Sequence, residues 1–173
     1  MHFDHFARQA FATACDQVLP EGGASHGDAS NGETLHASIA AVVAFHADGI
    51  DGTLGIAADE VGARRLMGCF PIGDDSDVDA GDVLGELANL VLGIVRQIWT
   101  TRGVNAFCTT PVVLRGVDLR VVGDPRRLWM RSDSIESGSG FTTWMEIDVA
   151  QEPELLEVAP SEDDPRSDAP LVF

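Results

Sequence analysis

Apolar and polar positions recur with two different periods along this chain, and the changes of period mark its elements. Phe3, Phe6, Ala7, Ala10, Phe11, Ala14 and Val18 return at three- and four-residue steps, with Asp4, Arg8, Gln9 and Asp16 off the stripe. That spacing predicts an amphipathic helix from Phe3 to Leu19, stopped by Pro20. Residues 20–33 are rich in Gly, Ser and Asp and read as a loop. From Leu35 to Phe45 the period drops to two, with Ile39, Ala41, Val43 and Phe45 on one side. A turn over Ala47–Gly52 and a returning strand over Thr53–Ala57 complete a hairpin. A short helix follows from Asp59 to Met67, with acids at its start and Arg64 and Arg65 toward its end, a polarity that suits the helix dipole. After a second loop the most apolar helix runs from Asp82 to Trp99, roughly 27 Å at 1.5 Å per residue. Asn105–Arg115 and Val117–Val122 read as extended segments. Arg127–Ser134 and Gly140–Asp148 read as a long hairpin, its second arm a half-buried strand in which Phe141, Thr143, Met145 and Ile147 alternate with Thr142, Trp144, Glu146 and Asp148. This order predicts one α+β domain over residues 1–150, with helices packed over an antiparallel sheet.

Composition narrows the chemistry. The 173 residues are 45% hydrophobic, enough for a real core. Acids outnumber bases 28 to 11, for a net charge of −17, and every base is Arg. Without Lys there is no Schiff-base chemistry and no P-loop. A chain this acidic repels a phosphate backbone, so nucleic acid is not an expected partner. Residues 151–173 hold four Pro, seven acids and one Arg, and read as a disordered acidic tail. Cys15, Cys69 and Cys108 are odd in number and far apart, which argues for a reducing compartment. The first residues lack the basic and apolar regions of a signal peptide, and Glu86, Asn89 and Arg96 interrupt the most apolar stretch. The expectation is a cytoplasmic protein with no membrane partner.

The Asp82–Trp99 helix is the most informative segment. Asp82, Glu86, Asn89, Gly93 and Arg96 fall within about 80° of one another on a helical wheel at ~100° per residue. Nearly all else is Leu, Val, Ile, Ala or Trp. One reading is a buried helix with a thin solvated edge, capped by Asp82 and with Glu86 favoured by the dipole. The other is a recognition ridge, because Asn and Gly are costly choices inside a helix.

Other groups carry less. His2, His5, His26, His36 and His46 have no clustered ligands beside them, so no metal site is expected. Asp74, Asp75, Asp77 and Asp79 lack the glycine of a calcium loop and read as a solvated acidic loop. Trp129, Trp144 and Phe141 read as core or dimer packing.

The pattern D-x-x-x-E-x-x-N on a helix, followed by a distant Pro, resembles the CheX/CheC/FliY family of chemotaxis phosphatases. The matching residues are Asp82, Glu86, Asn89 and Pro111, with twenty-one residues between the last two where the family usually has twenty-two. The order of helices and hairpins over residues 1–150 fits as well. A single such helix in a short chain resembles CheX more than CheC. The resemblance implies a substrate, the aspartyl phosphate of a CheY-like response regulator. It implies that Asn89 orients the attacking water and that Glu86 approaches the regulator's active-site Lys. Asp82, Gly93, Arg96 and Pro111 are the further candidate partner contacts. The chain would need no cofactor of its own, the Mg²⁺ belonging to the regulator. A homodimer with a sheet continued across its interface is also implied. The alternative is a binding module on the same fold that engages a regulator or flagellar-switch protein without hydrolysis.

Overall fold

The computed structural model describes residues 2–19, 25–28, 34–69, 79–133 and 140–157. Three helices, α1 (Phe3–Val18), α2 (Glu60–Cys69) and α3 (Ala80–Thr100), lie on one face of a seven-stranded sheet. Its strands are β1 (Ser25–Asp28), β2 (Thr34–Ala47), β3 (Ile50–Ala58), β4 (Phe107–Cys108), β5 (Val112–Val122), β6 (Leu128–Asp133) and β7 (Phe141–Val149). All pairings are antiparallel, in the order β1-β6-β7-β3-β2, with β4 and β5 sharing the far side of β2. The α+β architecture expected from the sequence is therefore the one observed.

Strand alternation produces the core. Ile39, Ala41, Val43, Phe45 and Ala47 of β2 and Ile50, Leu54, Ile56 and Ala58 of β3 point at the helices. From above, α1 contributes Phe3, Phe6 and Phe11, and α3 contributes Leu84, Leu87, Val91, Leu92, Val95 and Trp99. Trp99 is fully buried and takes Phe3 and Phe45 edge-on, at centroid distances of 5.3 and 5.6 Å.

Several boundaries differ from the sequence reading, each for a local reason. The β2–β3 turn is shorter than Ala47–Gly52: Ile50, Asp51 and Gly52 pair with Ala47, His46 and Phe45, and Gly49 takes the positive φ of +71°. Gly52 is required by space, since a Cβ there would lie 2.3 Å from the Phe45 ring and 2.4 Å from the Glu146 carbonyl oxygen. In α2 the capping acid is Asp59, whose carboxylate accepts from Gly62 N at 2.6 Å. The helix continues to Cys69, so Arg64 and Arg65 sit mid-helix, Arg64 pairing with Glu60 one turn back. Inside the segment read as loop, Ser25–Asp28 pairs with β6. The loop read over residues 71–78 lies outside the described residues.

The two extended segments expected between Asn105 and Val122 are one strand with a bulge. Gly116, Val117 and Asp118 stand against Ser38 alone, and Asp118 adopts φ +57°. His36 Nδ1, 2.6 Å from Asp118 Oδ1, and then Arg120 hold the Asp118 carboxyl below its ordinary range. Beyond the bulge the sides of β2 exchange. Leu35 and Ala37, with Leu119 and Val121 of β5, close over Trp129 and Trp144 on the face away from the helices. The two indoles stack at 6.4 Å. Phe141, grouped with them in the sequence reading, is on the other side of the sheet in the main core.

Packing also reaches further toward the C-terminus than Ala150. Gln151 N donates to Gly49 O, Glu152 accepts from Phe3 N at 3.1 Å, and Leu156 N donates to Arg102 O at 3.0 Å. Residues 151–157 thus strap the β2–β3 turn to the start of α1 and the end of α3. The rest of the acidic stretch, residues 158–173, lies outside the described residues. Among the described residues no helix is long and apolar enough to cross a membrane.

Two outcomes follow. Gly52→Ala is expected to destabilise by about 1–3 kcal/mol through overpacking. Gly93→Ala, with nothing within 4 Å of an added Cβ, should stabilise by about 0.5–1 kcal/mol through helix propensity. Urea midpoints at unchanged m would check both. The Phe3 amide first, then His2, holds the Glu152 carboxyl below its ordinary value. A depressed folded-state pKa contributes stability that is present above the unfolded pKa and lost as pH falls through the folded one. Glu152→Gln should therefore shrink the fall in Tm on acidification from neutral pH to below the ordinary Glu range of about 4.3. Equal falls in both proteins would contradict the cap.

Candidate functional site

The site is built on α3. The helix begins earlier than the sequence suggested, and Asp79 rather than Asp82 is its N-cap. The Asp79 carboxylate accepts from Gly81 N at 2.6 Å and from the Arg115 guanidinium on β5. The Gly81 amide first, and Arg115 after it, keep the Asp79 carboxyl ionised to lower pH than usual. Asp82 then falls in the first turn, exposed, its backbone N–H directed to Asp79 O at 3.1 Å. Its side chain is not spent on capping.

From there the ridge runs up the helix as the wheel places it. Glu86 and Gly93 are exposed and Asn89 is half-buried. The amide of Asn89 and the carboxylate of Glu86 have no hydrogen-bonding or ionic partner among the described residues. Leu90, not singled out from sequence, is 54% exposed beside them. Arg96 is different. Its Nε donates to Ala106 O at 2.7 Å, and its Nη1 lies 3.2 Å from Cys108 Sγ. It clamps α3 to β4 rather than standing free at the end of the ridge.

Pro111 also has a structural place. A Cβ built on Gly85 would sit 3.6 Å from Pro111 Cβ, and one on Gly81 would lie 2.6 Å from Val113 Cγ1. The whole 106–115 segment therefore runs antiparallel along one flank of α3, meeting it at Arg96, then Gly85, then Gly81. Glycines at i and i+4 allow this close approach, a signal in the sequence that went unread. On the wheel Gly81 and Gly85 face the segment, Asn89 comes about 40° beyond Gly85, and Glu86 about 60° beyond Asn89. Asn89 consequently lies at the seam between helix and segment, which is why it is half-buried, and Glu86 lies on the open crest. The motif's distant Pro is brought back to within one turn of its Asn. Asp79 and Arg115, which set the helix start, were not legible as a pair because 36 residues separate them.

The ridge presents two acids, one neutral amide and a bare glycine, and its Arg is engaged. A surface of this kind suits a partner surface that carries cationic and polar groups. Away from the ridge, a cavity of about 620 Å³ is lined by Asp48, Gln151, Glu152 and Glu154 among others, and is polar rather than apolar.

Residues 39–127, 89 of the 173, match the family described as chemotaxis phosphatase CheX, a span that holds Asp82, Glu86, Asn89 and Pro111. No curated protein matches the chain in sequence. Solved structures share the fold at low identity. A CheC-like superfamily protein from Shewanella sp. PV-4 is 14% identical, with 83% of this chain and 97% of that one covered and a TM-score of 0.65. Chemotaxis protein CheX from Vibrio vulnificus is 17% identical, with 83% and 96% covered and a TM-score of 0.60. The Borrelia burgdorferi CheX–CheY–BeF₃–Mg²⁺ complex includes a chain 15% identical, with 83% and 96% covered and a TM-score of 0.55. With more than half its length matched by the family and the helix motif inside that span, the chain belongs to the CheX family of chemotaxis phosphatases.

Proposed function

We propose that this chain hydrolyses the aspartyl phosphate of a CheY-like response regulator, with Asn89 orienting the attacking water. The observation that carries the reading is the free, half-buried amide of Asn89 one turn from the exposed carboxylate of Glu86, on the one polar edge of a buried helix. In the reaction the water oxygen bonds to phosphorus as the bond from phosphorus to the aspartyl oxygen breaks. The regulator's aspartate leaves as a carboxylate, and the proton lost by the water passes to the released phosphate or to solvent. Phosphoryl transfer of this kind depends on positioning and charge stabilisation rather than a strong base. The Asn89 carbonyl accepts a hydrogen bond from the water and turns a lone pair of the water toward phosphorus. Glu86 pairs with the regulator's active-site Lys and sets the helix against the acyl phosphate. Bare Gly93 lets the partner's backbone approach, with Asp82 and Leu90 flanking the contact. The regulator brings its own Mg²⁺, so the ridge needs no metal ligands.

We further propose a homodimer through β5. Among the described residues β5 pairs only with β2, and Val112 (59%), Leu114 (47%), Val117 (100%) and Val122 (62%) are exposed along it. An edge strand with this much apolar surface is a pairing site for a second copy.

The decisive experiment follows the decay of a purified CheY-like regulator phosphorylated with a small phosphodonor, alone and with the wild-type chain, Asn89→Ala or Glu86→Ala. Asn89→Ala is expected to lose acceleration by about a hundredfold while still binding the regulator. Glu86→Ala is expected to bind about tenfold more weakly. If the wild-type chain binds phosphorylated regulators without speeding their decay, the ridge is a docking surface and the hydrolytic reading is wrong. For the dimer, sedimentation velocity of Leu114→Lys should show a lower mass than the wild type. A wild-type chain that sediments as a monomer at micromolar concentration would refute the β5 interface.

A further inference from the structure

The seam beside Asn89 has a second polar group. Thr109 N donates to Ala44 O at 2.9 Å and Val112 pairs with Val42, so Thr110 and Pro111 together oppose Val43. Two residues against one is a bulge, a position that accommodates a proline without an N–H. Val43 is fully buried beneath the helices, and because Cys108 faces α3 through Arg96, strand alternation turns Thr110, two residues on, toward the same side. Cys108, on one side of this pair, meets Arg96, and Pro111 meets Gly85. Asn89 lies between those two contacts along α3, on the flank turned toward the segment. Thr109 is occupied, its hydroxyl engaged with the Ala44 backbone at 3.2 Å and with Thr110 O at 3.2 Å. The Thr110 side chain is exposed, and its hydroxyl has no hydrogen-bond partner among the described residues.

We infer that Thr110 is a second hydrogen-bonding residue of the site, its hydroxyl oxygen accepting a hydrogen bond from the other O–H of the water held by Asn89. The inference rests on the phosphatase reading and names a further residue for it. A water held by one acceptor still turns about that hydrogen bond. Two acceptors fix both O–H vectors and with them the directions of the oxygen's two lone pairs, one of which attacks. The bulge at Thr110–Pro111 supplies the second acceptor on a rigid, sheet-anchored backbone, at the flank of α3 from which Asn89 is reached.

The test uses the full chain with a CheY-like regulator phosphorylated by acetyl phosphate, and compares wild type with Thr110→Val, Thr110→Ser, Asn89→Ala and the Thr110→Val/Asn89→Ala double variant. Thr110→Val should slow decay at saturating phosphatase about 3- to 10-fold, the worth of one hydrogen bond. Affinity for the beryllofluoride-loaded regulator should stay within about twofold. Thr110→Ser, which keeps the hydroxyl, should retain the wild-type rate. Because both groups act on one water, the double variant should be no slower than Asn89→Ala alone. Thr110→Val decaying at the wild-type rate, or losing affinity in step with rate, would overturn the assignment while leaving the phosphatase reading intact. So would a further proportional loss in the double variant. A wild-type chain that speeds no decay would instead overturn the phosphatase reading, and Thr110's role with it.

Discussion

The rotation of α3 about its own axis is the constraint on which the rest depends. Leu84, Leu87, Ala88, Val91, Leu92, Val95 and Trp99 are buried, leaving one edge for water. Burying an average aliphatic side chain contributes about 1.5–3 kcal/mol. Turning the helix by a quarter would exchange several such residues for Glu86 and Asn89, a large cost beside the small net stability of a domain. The helix consequently has one workable orientation, and its edge residues face outward as a matter of core packing. The placement of these edge residues is a by-product of hydrophobic burial.

The second restraint comes from the side. Segment 106–115 lies against α3 from Arg96 down to Gly81, and its contacts are of different kinds: a guanidinium on a carbonyl, a proline ring on a glycine, and an ion pair at the cap. Sheet and helix are joined along that line without a covering layer. Since β5 is also the outermost strand on this side, the sheet's edge and the polar ridge are parts of one continuous surface.

Much of this was legible in the sequence, and the limits have physical causes. The stripe of Phe3, Phe6, Phe11 and their neighbours located α1 because it depends on local periodicity alone. The motif placed Asp82, Glu86 and Asn89 on one face because helix geometry is fixed over a few turns. The N-cap was misassigned by three residues because Asp79 and Asp82 are both good caps, and what distinguishes them is Arg115 from a distant strand. The continuity of β5 was missed because Gly116 reads as a break, whereas it belongs to a bulge that keeps the strand paired. Trp144 and Phe141 lie on opposite sides of the sheet. The strap over residues 151–157 was hidden by composition: its acids signal solvation, yet Glu152 is used as a cap and Leu155 packs on the core.

That strap bears on how the chain is made. The carboxylate that accepts a hydrogen bond from the Phe3 amide lies 149 residues further along the chain. Strand β7, which precedes the strap, is likewise made long after β3, its neighbour in the sheet. A nascent chain therefore carries a half-built sheet and an uncapped first helix until residue 152 has been added. For this fold, sheet closure and helix capping come after every other described element has been made. The interval before them is when the chain depends most on chaperones.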